Sequence, residues 1–333
     1  MTLLTSTRPL NLAYDAALLD LDGVVYIGPR AVPAAPEAID KARAAGMRVA
    51  FVTNNASRTP AAIAERLTSI GVVAAPEEVV TSAEAAARLI AERFPAGSPV
   101  LVVGDTGLRL AVRRQGLRPV TLAVERPVAV VQGYSPRLSY DQLVEGTLAV
   151  AAGALFVASN NDATAPLERG IQPGNGSLSR VIAHATRVSP VVAGKPMRPL
   201  HDEGVLRTGA RTPLVVGDRL DTDIEGATTR GCASLLVLSG VTTPADLVGA
   251  VPEHRPSYVS WDLAGLGHAH PETRLTGHGA CCGGWTASVD AGRVALDGDG
   301  DRLDGLRAVC AAVWDDPAPA TPAFDDALAR LGL

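Results

Sequence analysis

Aromatic side chains are scarce in this 333-residue chain, at 4% of the sequence, and no block of lysine and arginine stands out. Without ring faces to stack on bases or a basic stripe to follow phosphates, nucleic acid is excluded as a partner. The charge balance agrees, with 30 Lys and Arg against 35 Asp and Glu for a formal net charge of −5. Cysteine is sparse as well: Cys232, Cys281, Cys282 and Cys310 are too few and too unevenly placed for a disulfide framework. Long apolar runs are missing, and the opening MTLLTSTRPLNLAYD has no charged stretch followed by an apolar one. Neither a membrane span nor a secretory leader is expected, so the chain reads as soluble and cytoplasmic.

What the sequence does have is apolar bulk, 47% of its residues, enough to bury a sizeable core in two domains plus a tail. Strand and helix signals alternate, which argues for a parallel sheet with crossover helices. Strands are expected at Ala16–Leu19, Met47–Val52 and Glu78–Thr81, with a helix from Pro36 to Ala45 between the first two and another opened by Thr59-Pro60. From Thr81 the pattern restarts: T-S-A-E is a capping box ahead of an amphipathic helix through Phe94. Strands follow at Val100–Gly104, Ala129–Gln132 and Ala154–Ala158, separated by helices at Thr106–Gln115 and Ser139–Ala152. A helix from Gly176 to Thr186 leads back, and from Val191 the chain is expected to resume the parental sheet.

The predicted fold class is therefore α/β: a Rossmann-like core of residues 13–81 and 188–267, with a large α/β cap, residues 82–187, inserted in it. Residues 268–333 form a linker and a small C-terminal α+β module. In that last region PETRLTGHGACCGG reads as a glycine-rich linker, Trp285–Leu296 as a hairpin and Leu303–Val313 as an amphipathic helix. DGDGDRLDG from Asp297 imitates a calcium loop, but Arg302 stands where glycine is needed and Ala308 where glutamate is, so a solvated turn is expected. His268, His270, His278, Cys281 and Cys282 lack the cysteine spacing of a zinc site.

Chemistry concentrates at strand ends. Asp20, Asp22 and Gly23 follow the first strand directly, where parallel sheets place their ligand crevice. Alternation sends both carboxylates to one side, and two like charges sharing a site call for a cation such as Mg²⁺ or a proton kept by one of them, although D-x-D-G also occurs in ordinary strand-end turns. LVVGD occurs twice, ending at Asp105 and at Asp218. Only Asp218 is followed by more acids, Asp221 and Asp223, so Asp218 is the metal candidate and Asp105 a turn or helix cap. Thr53, Asn54 and Asn55 close the second strand. Lys195, between Gly194 and Pro196, is either a solvated loop lysine or a charge aimed by its restricted backbone.

Taken in order, DLDG at Asp20–Gly23, Thr53, Lys195 and GDRLDTD at Gly217–Asp223 resemble the haloacid-dehalogenase (HAD) superfamily of phosphatases. The resemblance covers roughly Ala13 to Leu266. The strings DLDGVVYIG, FVTNN, ASNND, PGNGSL, AGKP and GDRLDTDI are similar to the NagD-like branch, which includes phosphoglycolate and glycerol-phosphate phosphatases. It implies Asp20 as nucleophile forming an aspartyl-phosphate and Asp22 as general acid and base. Mg²⁺ would be held by Asp20, the Asp22 carbonyl and Asp218, with Asp223 in support. Thr53 and the Asn54–Asn55 segment would grip phosphoryl oxygens, and Lys195 would neutralise Asp20 and the transferring group. Dehalogenases of the superfamily lack an acid at the position of Asp22, and Val24 in place of the commoner threonine is normal for this branch.

Substrate choice falls to the cap. By resemblance, Asn160 and Asp162 in the loop Ser159–Asp162 and Arg219 touch the leaving group, although SNND also suits a plain turn. No aromatic platform for a nucleobase or pyridoxal ring is visible, so glycerol 3-phosphate is the expected substrate. The alternatives are 2-phosphoglycolate, a sugar phosphate or pyridoxal phosphate, or a phosphotransferase on the same scaffold. The tail is similar to a fragment of an acetyltransferase-type fold without a catalytic signature. The tail is expected to pack on the core or on another subunit, and a homo-oligomer could use it or the cap.

Overall fold

The computed structural model describes residues 3–167, 170–316 and 321–333. The chain divides into two compact units, one drawn from Met1–Ala50, Ile70–Val72 and Thr208–Leu333, the other from Phe51–Ser69 and Val73–Arg207. No helix among the described residues is long and apolar enough to cross a membrane.

In the first unit four parallel strands lie in the order Tyr258–Ser260, Ala233–Val237, Pro213–Gly217, Ala16–Leu19. They are short apolar runs, and every residue of Ala16–Leu19 and Pro213–Gly217 is buried, as expected of strands covered on both faces. The register pairs Leu19 with Val216 and Gly217 with Leu236. Neighbouring strands therefore end level, and the residues just beyond them share one edge. The helix Ala35–Ala44 begins with Pro36 near its N-terminus, where a missing N–H costs nothing, and stops before Gly46 at φ +90°.

The C-terminal residues of this unit build an antiparallel sheet in the order Arg274–Thr276, Gly279–Cys282, Trp285–Asp290, Arg293–Gly298, covered by the helix Arg302–Asp315. The hairpin is where the sequence places it. The glycine-rich linker is instead two strands, because its glycines serve close approach: a Cβ on Gly279 would lie 2.0 Å from the Ala287 carbonyl oxygen. The helix is not amphipathic either, since every residue from Gly305 to Trp314 is buried. Its one face meets the module's sheet and its other face meets Leu236, Leu247, Val248 and Val259, so tail and core sheet share a single apolar cluster. The Trp314 indole N–H donates to the Val248 carbonyl at 3.1 Å and the Arg307 guanidinium to the Val259 carbonyl at 2.8 Å. Of the imitation calcium loop, Asp301 caps the helix by accepting from the Leu303 N–H at 2.8 Å, and Asp304 pairs with Arg307 at 2.6 Å.

In the second unit a five-stranded parallel sheet runs Val191–Val192, Leu155–Ala158, Ala129–Gln132, Pro99–Val103, Arg118–Val120. The edge strand Val191–Val192 corrects an expectation: it pairs with Val157 and Ala158 instead of returning to the parental sheet. The preceding helix, Asn175–Thr186, is the crossover that delivers it there. The strand Arg118–Val120 and the antiparallel pair Thr164–Leu167 and Gly170–Pro173 were not anticipated. The capping box is in place, with Thr81 and Glu84 satisfying each other's backbone N–H groups at the start of Ser82–Ala91. Arg48–Thr53 is the strand along which the chain passes from the first unit to the second, and its end pairs Thr53 with Thr81.

Candidate active site

Three carboxylates meet at the level strand ends of the first unit. Asp20, Asp218 and Asp223 each offer an oxygen within 4.8 Å of the others, and Asp218 and Asp223 are both 1% exposed. Asp20 follows Leu19, its N–H donating to the Val216 carbonyl at 2.9 Å, while Asp218 follows the adjacent strand. Asp223 returns to the site through one wide helical turn, Leu220–Ile224, and accepts from the Arg219 N–H at 3.2 Å. Asp218 accepts from the Val241 N–H at 2.7 Å.

Glycine makes room for this crowd. A Cβ on Gly240 would sit 1.9 Å from an Asp218 oxygen, one on Gly23 2.3 Å from the same oxygen, and one on Gly217 2.1 Å from the Asp223 Cβ. Gly23 also turns the chain at φ +80°, a conformation that disfavours any side chain. Three like charges at this separation repel, and hard oxygen donors so placed fit a divalent cation. Among the described residues this is the only such cluster of potential metal-binding side chains.

Asp22 stands apart. The strand stops at Leu19, so strict alternation does not carry through to it; its exposed carboxylate accepts from the Tyr26 hydroxyl at 3.3 Å. Arg219 is also exposed and bonded to Asp221 at 2.8 Å. Burial tends to raise the Asp221 carboxyl, but the Arg219 guanidinium overcomes this and holds it below the usual range.

In the second unit the other candidates form a hydrogen-bonded group around Asn54, just past Thr53. The Asn54 amide donates to Asp162 at 3.0 Å and to the Lys195 carbonyl at 3.3 Å, and its oxygen accepts from the Lys195 N–H at 2.9 Å. The Asn54 carbonyl accepts from the Asn160 amide at 2.7 Å and the Ser82 hydroxyl at 2.6 Å. Thr53 is buried and accepts from the Asn55 N–H at 3.1 Å, whereas the Asn55 oxygen is taken up by the turn at Ser57 and Arg58. The loop at Ser159–Asp162 is thus more than a turn.

Asp105 is the helix cap expected of it, accepting from the Thr106 N–H at 2.7 Å and pairing with Arg137 at 2.8 Å. Sequence reasoning missed Gly240, Val241 and Asn175, which donates to the Asn160 carbonyl at 2.8 Å. The strand-end rule applied to LLVLSGV would have found the first two.

Comparison with known proteins matches residues 17–118 to a haloacid dehalogenase-like hydrolase model and 192–266 to a second HAD-type hydrolase model. D-glycerol 3-phosphate phosphatase of Mycobacterium tuberculosis is 45% identical over 311 residues, covering 91% of this chain and 86% of the relative. The chain belongs to the haloacid dehalogenase-like hydrolases. A crystal structure of glycerol phosphate phosphatase from M. tuberculosis in complex with magnesium superposes with TM-score 0.86 at 42% identity, covering 95% of this chain and 94% of that one. A 5'-nucleotidase of Bacillus subtilis is 38% identical over 231 residues, 69% of this chain and 89% of its own length. This HAD hydrolase carries a further match at residues 282–333, to a GCN5-related N-acetyltransferase-like domain.

Proposed function

We propose that this hydrolase releases phosphate from glycerol 3-phosphate, through an aspartyl-phosphate formed on Asp20. The observation that carries the reading is the meeting of Asp20, Asp218 and Asp223 within 4.8 Å at adjacent strand ends. The 45% identity to a D-glycerol 3-phosphate phosphatase supports the choice of ester.

The chemistry follows from charge. Unit charges about 4 Å apart repel by about 4 kcal/mol at an effective dielectric near 20, so a phosphate dianion does not approach carboxylates unaided. Magnesium held by Asp20, Asp218 and the Asp22 carbonyl, with Asp223 behind them, would supply the compensating charge. The Asp20 oxygen attacks phosphorus and the P–O bond to glycerol breaks, with Asp22 giving its proton to the departing alkoxide. Asp22 then takes a proton from water, which attacks the acyl phosphate and frees Asp20. Thr53 and the main chain at Asn54 and Asn55 hold phosphoryl oxygens, and the Lys195 ammonium offsets their growing charge. Choice of the glycerol group would fall to Asn160, Asp162 and Arg219. The same reading places the enzyme in the cytoplasm, with the inserted region and the C-terminal module as surfaces for self-association.

Phosphate release from purified protein tests this against a panel of glycerol 3-phosphate, 2-phosphoglycolate, sugar phosphates, pyridoxal phosphate and nucleoside monophosphates. Glycerol 3-phosphate is expected to give the highest kcat/KM, with activity lost on chelation and in Asp20→Asn. Undiminished turnover by Asp20→Asn removes the nucleophile, and failure to hydrolyse any ester removes the function.

A further inference from the structure

We propose that the Asn54 side chain is a positioning residue: one carboxamide fixes the backbone of Lys195 and docks the Asn160–Asp162 loop, coupling the two. The inference rests on the phosphatase reading for what Lys195 does, and on geometry for how it is held. A carboxamide has two hydrogens and one oxygen. The Asn54 oxygen accepts from the Lys195 N–H at 2.9 Å, and its nitrogen donates to the Lys195 carbonyl at 3.3 Å, so the side chain grips that residue as a neighbouring strand would. The same nitrogen donates to the Asp162 carboxylate, at 3.0 and 3.3 Å to its two oxygens. The orientation follows from the network, because the opposite one would face the amide nitrogen to the Lys195 N–H.

Two further details support this assignment. Gly194 is the residue before Lys195, and a Cβ there would lie 2.5 Å from the Asn54 side-chain oxygen and 2.7 Å from the Ser159 carbonyl. Glycine is therefore what lets the lysine backbone reach the carboxamide. The loop itself is prearranged, since the Asp162 N–H donates to the Asn160 side chain at 3.1 Å and Asn175 holds the Asn160 carbonyl at 2.8 Å. With both amide hydrogens committed, the Asn54 side chain serves Lys195 and the loop, and leaves phosphoryl oxygens to the main chain.

The test is a double-mutant cycle of Asn54→Asp, Asp162→Asn and the pair, with Asn54→Ala alongside. Asn54→Asp sets two carboxylates face to face, whereas the double variant restores a donor and an acceptor in exchanged positions. With magnesium in excess, Asn54→Ala is expected to lower kcat about 100-fold, since a misplaced ammonium acts on the transition state, and to raise KM by a smaller factor, since the loop that meets the glycerol is undocked. Asn54→Asp should lose at least as much, and the double variant should regain about tenfold. Wild-type kcat in Asn54→Ala, or effects in the cycle that multiply independently, would overturn the proposal. Melting temperatures of the four proteins give the Asn54–Asp162 coupling without turnover, so inactivity of the wild type on every ester sinks the phosphatase reading separately. Additive shifts in melting temperature would sink the docking contact.

Discussion

Replacing Gly240 by alanine is a one-methyl test of the acidic site. Nothing in the backbone opposes it, since Gly240 is not among the glycines with positive φ. The cost arises because the new Cβ would lie 1.9 Å from the Asp218 side-chain oxygen and 2.5 Å from its Cγ. That oxygen must withdraw by about 1 Å to reach the shortest tolerable contact, and it is the one that accepts from the Val241 N–H at 2.7 Å. Losing a hydrogen bond to a buried charged acceptor costs about 2 kcal/mol. For a chain of this size that is a fall in melting temperature of roughly 3 °C. The same movement carries Asp218 away from Asp20 and Asp223, so apparent magnesium affinity should drop about 10- to 100-fold, as when the support of a metal ligand is lost. Differential scanning calorimetry and magnesium titration of phosphate release read the two effects, with Gly267→Ala as control because a Cβ there meets nothing within 4 Å. If Gly240→Ala matches the control in both, the crowding around Asp218 does not govern the site.

Asp105→Ala removes a helix cap, worth about 1 kcal/mol, and should lower the melting temperature by roughly 1–2 °C with kcat unchanged. The exposed Arg137 partner adds little to that figure. Burial tends to raise the Asp105 carboxyl, but the Thr106 N–H, Ser135 and Arg137 together hold it below its ordinary value. Its contribution is therefore complete above the unfolded pKa near 3.9 and lost as pH falls through the lower folded value; an Asp105→Ala difference that grows as pH falls below about 3.9 would contradict this. His270 is depressed to about 4, first by burial and then by Arg307 and His268, while the Gly265 carbonyl opposes the shift. The unfolded chain thus binds the extra proton between about pH 6.5 and 4, and stability should decline by up to about 3 kcal/mol as pH falls through that window. In His270→Gln the decline should shrink, and urea melts at pH 7.5 and 5.0 that change equally in both proteins would refute the assignment. A chain ending at His270 exposes the Leu236, Leu247, Val248 and Val259 face, so it should aggregate or melt far below the full chain; a soluble, cooperatively folded product would show that this apolar face does not need its cover.

Much of the site could be read from the sequence because its chemistry lies where short apolar runs end. Asp20 and Asp218 follow buried strands, and only the second LVVGD continues into acids, a local difference that separated a member of the carboxylate cluster from the cap at Asp105. Capping boxes and glycine stops likewise act within a few residues, so the helices fell close to their expected limits. What escaped depended on distant partners. Val191–Val192 carries no mark saying which sheet it joins, since a two-residue strand takes its place from the crossover before it. Glycines at 277, 279, 283 and 284 look like slack in the sequence, yet Gly279 is the gap through which the Ala287 carbonyl passes. Gly240 looked ordinary because the atom it makes room for lies in another segment. The clamp on Lys195 was hidden for the same reason, its partner Asn54 standing 141 positions earlier.

The apolar cluster common to the core strands and the terminal helix bears on protein engineering. A different tail cannot simply be grafted at residue 270, because the recipient surface is shaped to the underside of Arg302–Asp315, down to the indole of Trp314 seated at Val248. A workable chimera would have to exchange Leu236, Leu247, Val248 and Val259 along with the appendage, making the smallest transferable piece of this half a mosaic of both ends of the gene product.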